Sequence, residues 1–176
     1  MSKAKIYCEK QVKISYLYEY GHTMIDLNKS PKALKAMELF RTGYNCSQSV
    51  VGAWHEEMGL DFNTAVHIAS GFGGGMGRLR EVCGSCSGAF MVLSMKYGYT
   101  DPKNYQDKKA LYELIQKFAA RFKAENGFDS IVCRELLGLP SGASSPVPEK
   151  RTDSYYKKRP CPELIGLASH LLTEFV

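Results

Sequence analysis

Residues 83–97 restrict the fold more than any other stretch of the chain. Their body, AFMVLSM, is apolar nearly all round rather than along one stripe. A helix of that kind is covered on every side, so it belongs at the centre of a bundle. Gly98 and Pro102 stop it. The stretch before it, GFGGGMGR at 71–78, is too rich in glycine to be helix.

Helical signals surround this centre. Ser30 is a good N-cap, Pro31 suits a first turn, and Ala33, Leu34, Met37 and Phe40 recur at helical spacing. Gly43 ends that helix. Asn45 can cap the next, with Gln48 as its capping-box partner. Cys46, Val50, Ala53 and Trp54 share its inner face, and Gly59 stops it. A third helix starts near Asn63 and sets Ala65, Ile68, Ala69 and Phe72 on one side. A long one over 105–125 carries a stripe of Leu111, Leu114, Ile115, Phe118 and Phe122. Asp129 or Ser130 caps a short helix holding Ile131, Val132, Cys133, Leu136 and Leu137. Residues 139–160 have no periodicity and contain Pro140, Pro146, Pro148 and Pro160. A loop of that length is usually functional or flexible. The last helix opens at CPEL, with Leu164, Ala168, Leu171 and Phe175 along one face.

The expected fold is therefore all-α: one bundle of about seven helices over 31–176, built around 83–97. An arm over 1–30 precedes it. There Val12, Ile14, Tyr16, Tyr18 and Tyr20 alternate as in a short strand, with helix as the alternative. Such an aromatic arm would pack on the domain or join two copies as a homodimer.

Composition narrows the function. A formal net charge of +5 is modest and the cations are scattered, which argues against nucleic acid. The one basic cluster, EKRTDSYYKKRP at 149–160, reads as a solvated loop, with an acidic partner as the alternative. No apolar run reaches the ~18 residues of a membrane span. The N-terminus lacks the apolar core of a secretion signal, so a cytoplasmic protein is expected. In that compartment, six cysteines point to metal binding, redox chemistry or burial rather than structural disulfides.

The cysteines fall in a pattern. Cys46 follows a capping Asn, Cys83 follows the glycine loop, Cys133 lies just past a cap, and Cys161 precedes Pro162. All four sit at or near a predicted helix start, where free N–H groups and the helix dipole favour a thiolate. Cys8 lies in the arm and reads as a buried thiol. Cys83 and Cys86 form a CxxC, which suits a redox dithiol, although the strand of a thioredoxin-like unit is missing. No second CxxC completes a zinc ribbon, and no His follows Cys86 for covalent haem attachment. The glycines carry no Lys-Ser/Thr for a phosphate loop. They could instead bring backbone N–H groups to an anion, or simply connect two helices. Arg78 and Arg80 add positive charge beside Cys83.

The order of Cys46 in GYNCSQSV, the glycine loop, Cys83-Gly84-Ser85-Cys86-Ser87-Gly88, Cys133 in CRELLGL and Cys161 in CPEL resembles a known family. It comprises redox-active proteins named for a C…GCAxxG…C…C pattern, and the likeness covers about residues 31–175. Ser85 stands where the family usually has alanine, and Cys86 is additional. A related domain occurs in split-Soret-type cytochromes beside haem and an iron–sulfur centre. Without CxxCH, that haem is out of reach here.

The resemblance implies that Cys46, Cys83, Cys133 and Cys161 gather at one redox or cluster site. The leading expectation is an iron–sulfur protein, [2Fe–2S] rather than [4Fe–4S], with those four as ligands. Gly73, Gly74, Gly75 and Gly84 would offer N–H groups to its sulfurs, and a redox partner protein would exchange electrons with it. Two alternatives stand beside it. In one, Cys83 attacks and Cys86 resolves in cluster-free thiol–disulfide exchange. In the other, the same four cysteines hold structural zinc.

Overall fold

Capping side chains do what their positions in the sequence foretell. In the computed structural model, which describes residues 25–157 and 159–176, Ser30 Oγ accepts from the Ala33 N–H and starts α1, Pro31–Arg41. Asn45 and Gln48 exchange both bonds of a capping box, at 3.0 and 3.1 Å, and start α2, Cys46–Ala53. Asp61 accepts from Thr64 N–H to start α3, Phe62–Ala69. After the glycine loop come α4, Gly84–Tyr97, and the long α5, Tyr105–Glu125, capped by Asn104. A short α6 spans Cys133–Leu136, a short α7 spans Asp153–Lys157, and α8 spans Cys161–Leu171. The arm's alternating Val12–Tyr20 stretch and Cys8 lie outside the described residues.

Among the described residues there is no strand, only one isolated antiparallel bridge, Val82 to Val132. The architecture is all-α. The core is shared by α1, α2, α4, α5 and α8 through Phe40, Val50, Leu93, Phe118, Phe122, Ile165 and Leu171. Helices α2 and α4 approach backbone to backbone. A Cβ on Gly84 would lie 2.8 Å from Cys46 Cβ, and one on Gly88 would lie 2.9 Å from the Ser47 carbonyl. No described helix is long and apolar enough to cross a membrane.

Four expectations need correction. The all-round apolar helix is buried from Gly84 to Ala89 and at Val92 and Leu93 and half-buried at Phe90 and Met91, but Met95 and Tyr97 are 51% and 41% exposed. Its 14 residues overhang the eight of α2, so composition alone cannot cover its last turn. Enclosure falls instead on α2 and α8 as much as on α4. Ile131 and Val132 precede α6 rather than opening it, because their backbone pairs with residues 81–83. The aperiodic 139–160 segment contains α7. Leu34 and Ile68, placed on inner faces by spacing, are exposed; Leu39 and Val66 point inward instead.

Candidate functional site

Each of the four cysteines stands at a helix start. Cys46, Cys133 and Cys161 are the first residues of α2, α6 and α8, and Cys83 is the N-cap of α4. The bridge sets two of them side by side. Cys83 N–H donates to the Ile131 carbonyl at 2.8 Å, and Cys133 N–H donates to the Glu81 carbonyl at 2.6 Å. The close α2–α4 packing brings in Cys46 against Gly84. Cys161 opens α8, which packs against α2, and its thiol is the largest influence on that of Cys46. All five described cysteines are free thiols.

The glycine loop is the floor of this group. Gly74, Gly75, Met76, Gly77, Arg78 and Arg80 all have positive φ. That conformation costs a side-chain-bearing residue roughly 1–2 kcal/mol. It turns the chain tightly enough for Gly75 to pack on Cys133, where a Cβ would lie 2.5 Å from that of the cysteine. Gly73 packs in the same way on Asn45, and Gly74 lies against the Arg78 side chain.

The thiols differ sharply in electrostatics. The Cys161 thiol, donating to Cys46, holds it down to about 7 against the cost of burial, with help from Gly74 N–H and the Arg151 guanidinium. As a residue Cys46 is part-exposed, although its thiol is enclosed; Cys83, Cys86, Cys133 and Cys161 are buried residues. The same bond pushes Cys161 well upward, since its proton is the one shared, and burial adds to this. Burial pushes Cys83 up to about 12 and Cys86 well above the ordinary thiol range. Cys133 is also raised by burial, although Arg80 pulls the other way. The charge of Cys46 is felt at Cys83, Cys133 and Cys161, so these four share one field. Cys86 is fully buried one turn along α4 from Cys83.

The segment after α6 covers the group. Arg151 donates to the Phe40 carbonyl at 2.8 Å and lies 4.4 Å from that ring's centroid. Arg159 sits over Tyr155 and pairs with Glu149 at 2.7 Å; Glu149 also faces Arg78 at 3.7 Å. A cleft of about 300 Å³ opens beside Tyr155 and Arg159. The basic cluster read as a solvated loop thus supplies Arg151, Tyr155 and Arg159 to the site. Its alternation of arginine and tyrosine beside Cys161 was the available signal.

An iron–sulfur cluster needs four thiolates, and the chain supplies four thiols of the right kind. Their placement does not close round a centre. Among the described residues, no three His, Cys, Asp or Glu side chains stand where they could hold a metal ion. Of the glycines expected to face a cluster, Gly75 and Gly84 pack on Cys133 and Cys46, Gly73 on Asn45 and Gly74 on the Arg78 side chain. The residues fit a cluster, or zinc, in kind and not in placement.

No curated protein and no solved structure matches the chain. The pattern of one family, described as "Putative redox-active protein (C_GCAxxG_C_C)", matches residues 44–175. That span is about three quarters of the sequence and holds all four site cysteines, so the chain belongs to this redox-active family.

Proposed function

We propose that the protein carries out thiol–disulfide redox chemistry through Cys46 and Cys161. One observation carries the reading: Cys46 and Cys161 open two helices that pack together, and the second thiol holds the first down to about 7 against its burial. A nucleophilic thiol works best with its pKa near ambient pH.

The chemistry follows from the two positions. Cys46, as thiolate, attacks a substrate disulfide and forms a mixed disulfide, expelling the first half as a thiolate. Cys161 then attacks the Cys46 sulfur. It closes the Cys46–Cys161 disulfide and releases the second half, which takes up the proton Cys161 gives up. Two electrons pass from protein to substrate. The raised Cys161 keeps its proton until the second step. The same exchange assigned to Cys83 and Cys86 would draw its thiolate from two buried thiols that burial pushes upward. The redox partner, on this reading, is a protein or peptide disulfide in a reducing compartment such as the cytoplasm.

The number of gathered thiols favours a second reading. An iron–sulfur cluster on Cys46, Cys83, Cys133 and Cys161 would serve one-electron transfer, and it requires those side chains to close together.

One preparation separates the readings. The protein is purified without oxygen, assayed for iron, acid-labile sulfide and zinc, then oxidised with a small-molecule thiol oxidant and peptide-mapped. Thiol chemistry predicts a colourless protein with a single Cys46–Cys161 disulfide. Iron and sulfide that are both lost on Cys133→Ser would replace it with the cluster reading.

A further inference from the structure

Arg80 is the one charged side chain in the interior of the described residues, at 3% exposed. Burying a guanidinium costs several kcal/mol unless an anion accompanies it. Among the described residues no Asp or Glu bridges it. Its neighbours are neutral atoms and a thiol: Nε donates to Ser144 Oγ at 2.8 Å, and Nη1 faces Cys133 Sγ at 3.8 Å. The backbone is held too, since the Arg80 carbonyl accepts from Arg134 N–H at 3.1 Å. Its φ of 66° lies in the left-handed region that non-glycine residues seldom occupy. Strained backbone, burial and a missing counter-ion coincide on the residue that touches the cysteine group.

We propose that Arg80 is the fixed countercharge of the reduced cysteine site, a positioning residue that raises the site's reduction potential by stabilising the negative charge reduction leaves there. This rests on the thiol–disulfide reading. Reducing the Cys46–Cys161 disulfide takes two electrons and one proton and leaves a thiolate and a thiol. The electrons come from two reduced small thiols, which become a disulfide and release a second proton to water. The disulfide form is neutral and the reduced form is anionic, so a nearby cation favours the reduced form. Arg80 touches Cys133 rather than Cys46. The charge of the Cys46 thiolate is nonetheless felt at Cys133, so a cation against Cys133 acts on that charge through the dry interior. Ser144, from the covering segment, orients the guanidinium. The sequence placed Arg80 beside Cys83; its contact is with Cys133, across the bridge.

The full-length protein is equilibrated with glutathione redox buffers, and its dithiol fraction is read by mass spectrometry. Arg80→Gln should shift the equilibrium constant about fivefold against the reduced protein, which is about 20 mV for a two-electron couple. Arg80→Lys should stay within about twofold of the wild type. A folded Arg80→Gln protein with an unchanged constant overturns the proposal, even if it unfolds at lower urea, because a merely structural arginine would act that way. If Arg80→Gln does not fold, Ser144→Ala decides: a fall of about twofold in the same direction supports the role, and no change overturns it. A wild type that forms no Cys46–Cys161 disulfide in any buffer refutes the thiol reading itself, and Arg80's role falls with it.

Discussion

Cys46 and Cys83 occupy nearly equivalent local positions, one at the first residue of a helix and the other at an N-cap. Their backbones pack within contact of each other at Gly84. Yet one thiol is held near 7 and the other is pushed up to about 12. The helix terminus cannot be the cause, because both have one. A helix dipole contributes roughly 0.3–1 kcal/mol, less than one pKa unit. Desolvation can move a fully buried group by about 3–5 units. Burial raises both thiols; what separates the pair is the Cys161 donor, helped by Gly74 and Arg151, which outweighs burial at Cys46. Position at a helix start places the thiols; a partner thiol and nearby positive groups decide which one is favoured as thiolate.

That contrast can be broken most decisively at Cys46. Cys46→Ser should lower the rate of exchange with an aromatic disulfide at pH 7 by roughly a thousandfold, to the background of the buried thiols. A rate that survives would move the nucleophile elsewhere. The next largest effect concerns the donor. In the wild type, alkylation of Cys46 should rise through about pH 7 and level off above it, because its thiolate is favoured. Cys161→Ala removes the main stabilising bond, so the rise should move toward the ordinary thiol value and the rate at pH 7 should fall about tenfold. Rates above pH 10 should converge. An unmoved profile would show that Cys161 is not the cause.

Smaller effects test the other half of the site. Gly75→Ala combines a φ of 70° with a Cβ 2.5 Å from that of Cys133, and should cost about 2–4 kcal/mol in urea denaturation. A neutral result would mean that the glycine floor is looser than its contacts imply. Cys86→Ala should do least: about 1 kcal/mol of stability and no more than a twofold change in exchange rate. A collapse in rate would restore the CxxC to the mechanism.

Much of this was legible in the sequence because caps are local. Ser30, Asn45 with Gln48, and Pro162 each announce a helix start within three or four residues, and three of the four site cysteines follow those or similar signals closely. The bridge was not legible. Val82 and Val132 are single paired residues 50 positions apart, with no alternation to reveal them. Nor were the thiol affinities. They depend on Cys161 meeting Cys46, and on Arg151 reaching back to Phe40, which no window along the chain contains. Leu34 and Ile68 misled for a related reason: helical spacing identifies a stripe, and tertiary contacts decide which edge of it stays wet.

The meeting of α2 with α8 also has a consequence for the order of assembly. Cys46 belongs to the second helix and Cys161 to the last. During synthesis, Cys46 is made long before the thiol that activates it. Until α8 docks, Cys46 lacks its main stabilising donor and should react as an ordinary thiol. Full reactivity thus arrives with the final long-range contact of the fold, so a chain truncated before α8 would carry its nucleophile in an unprimed state.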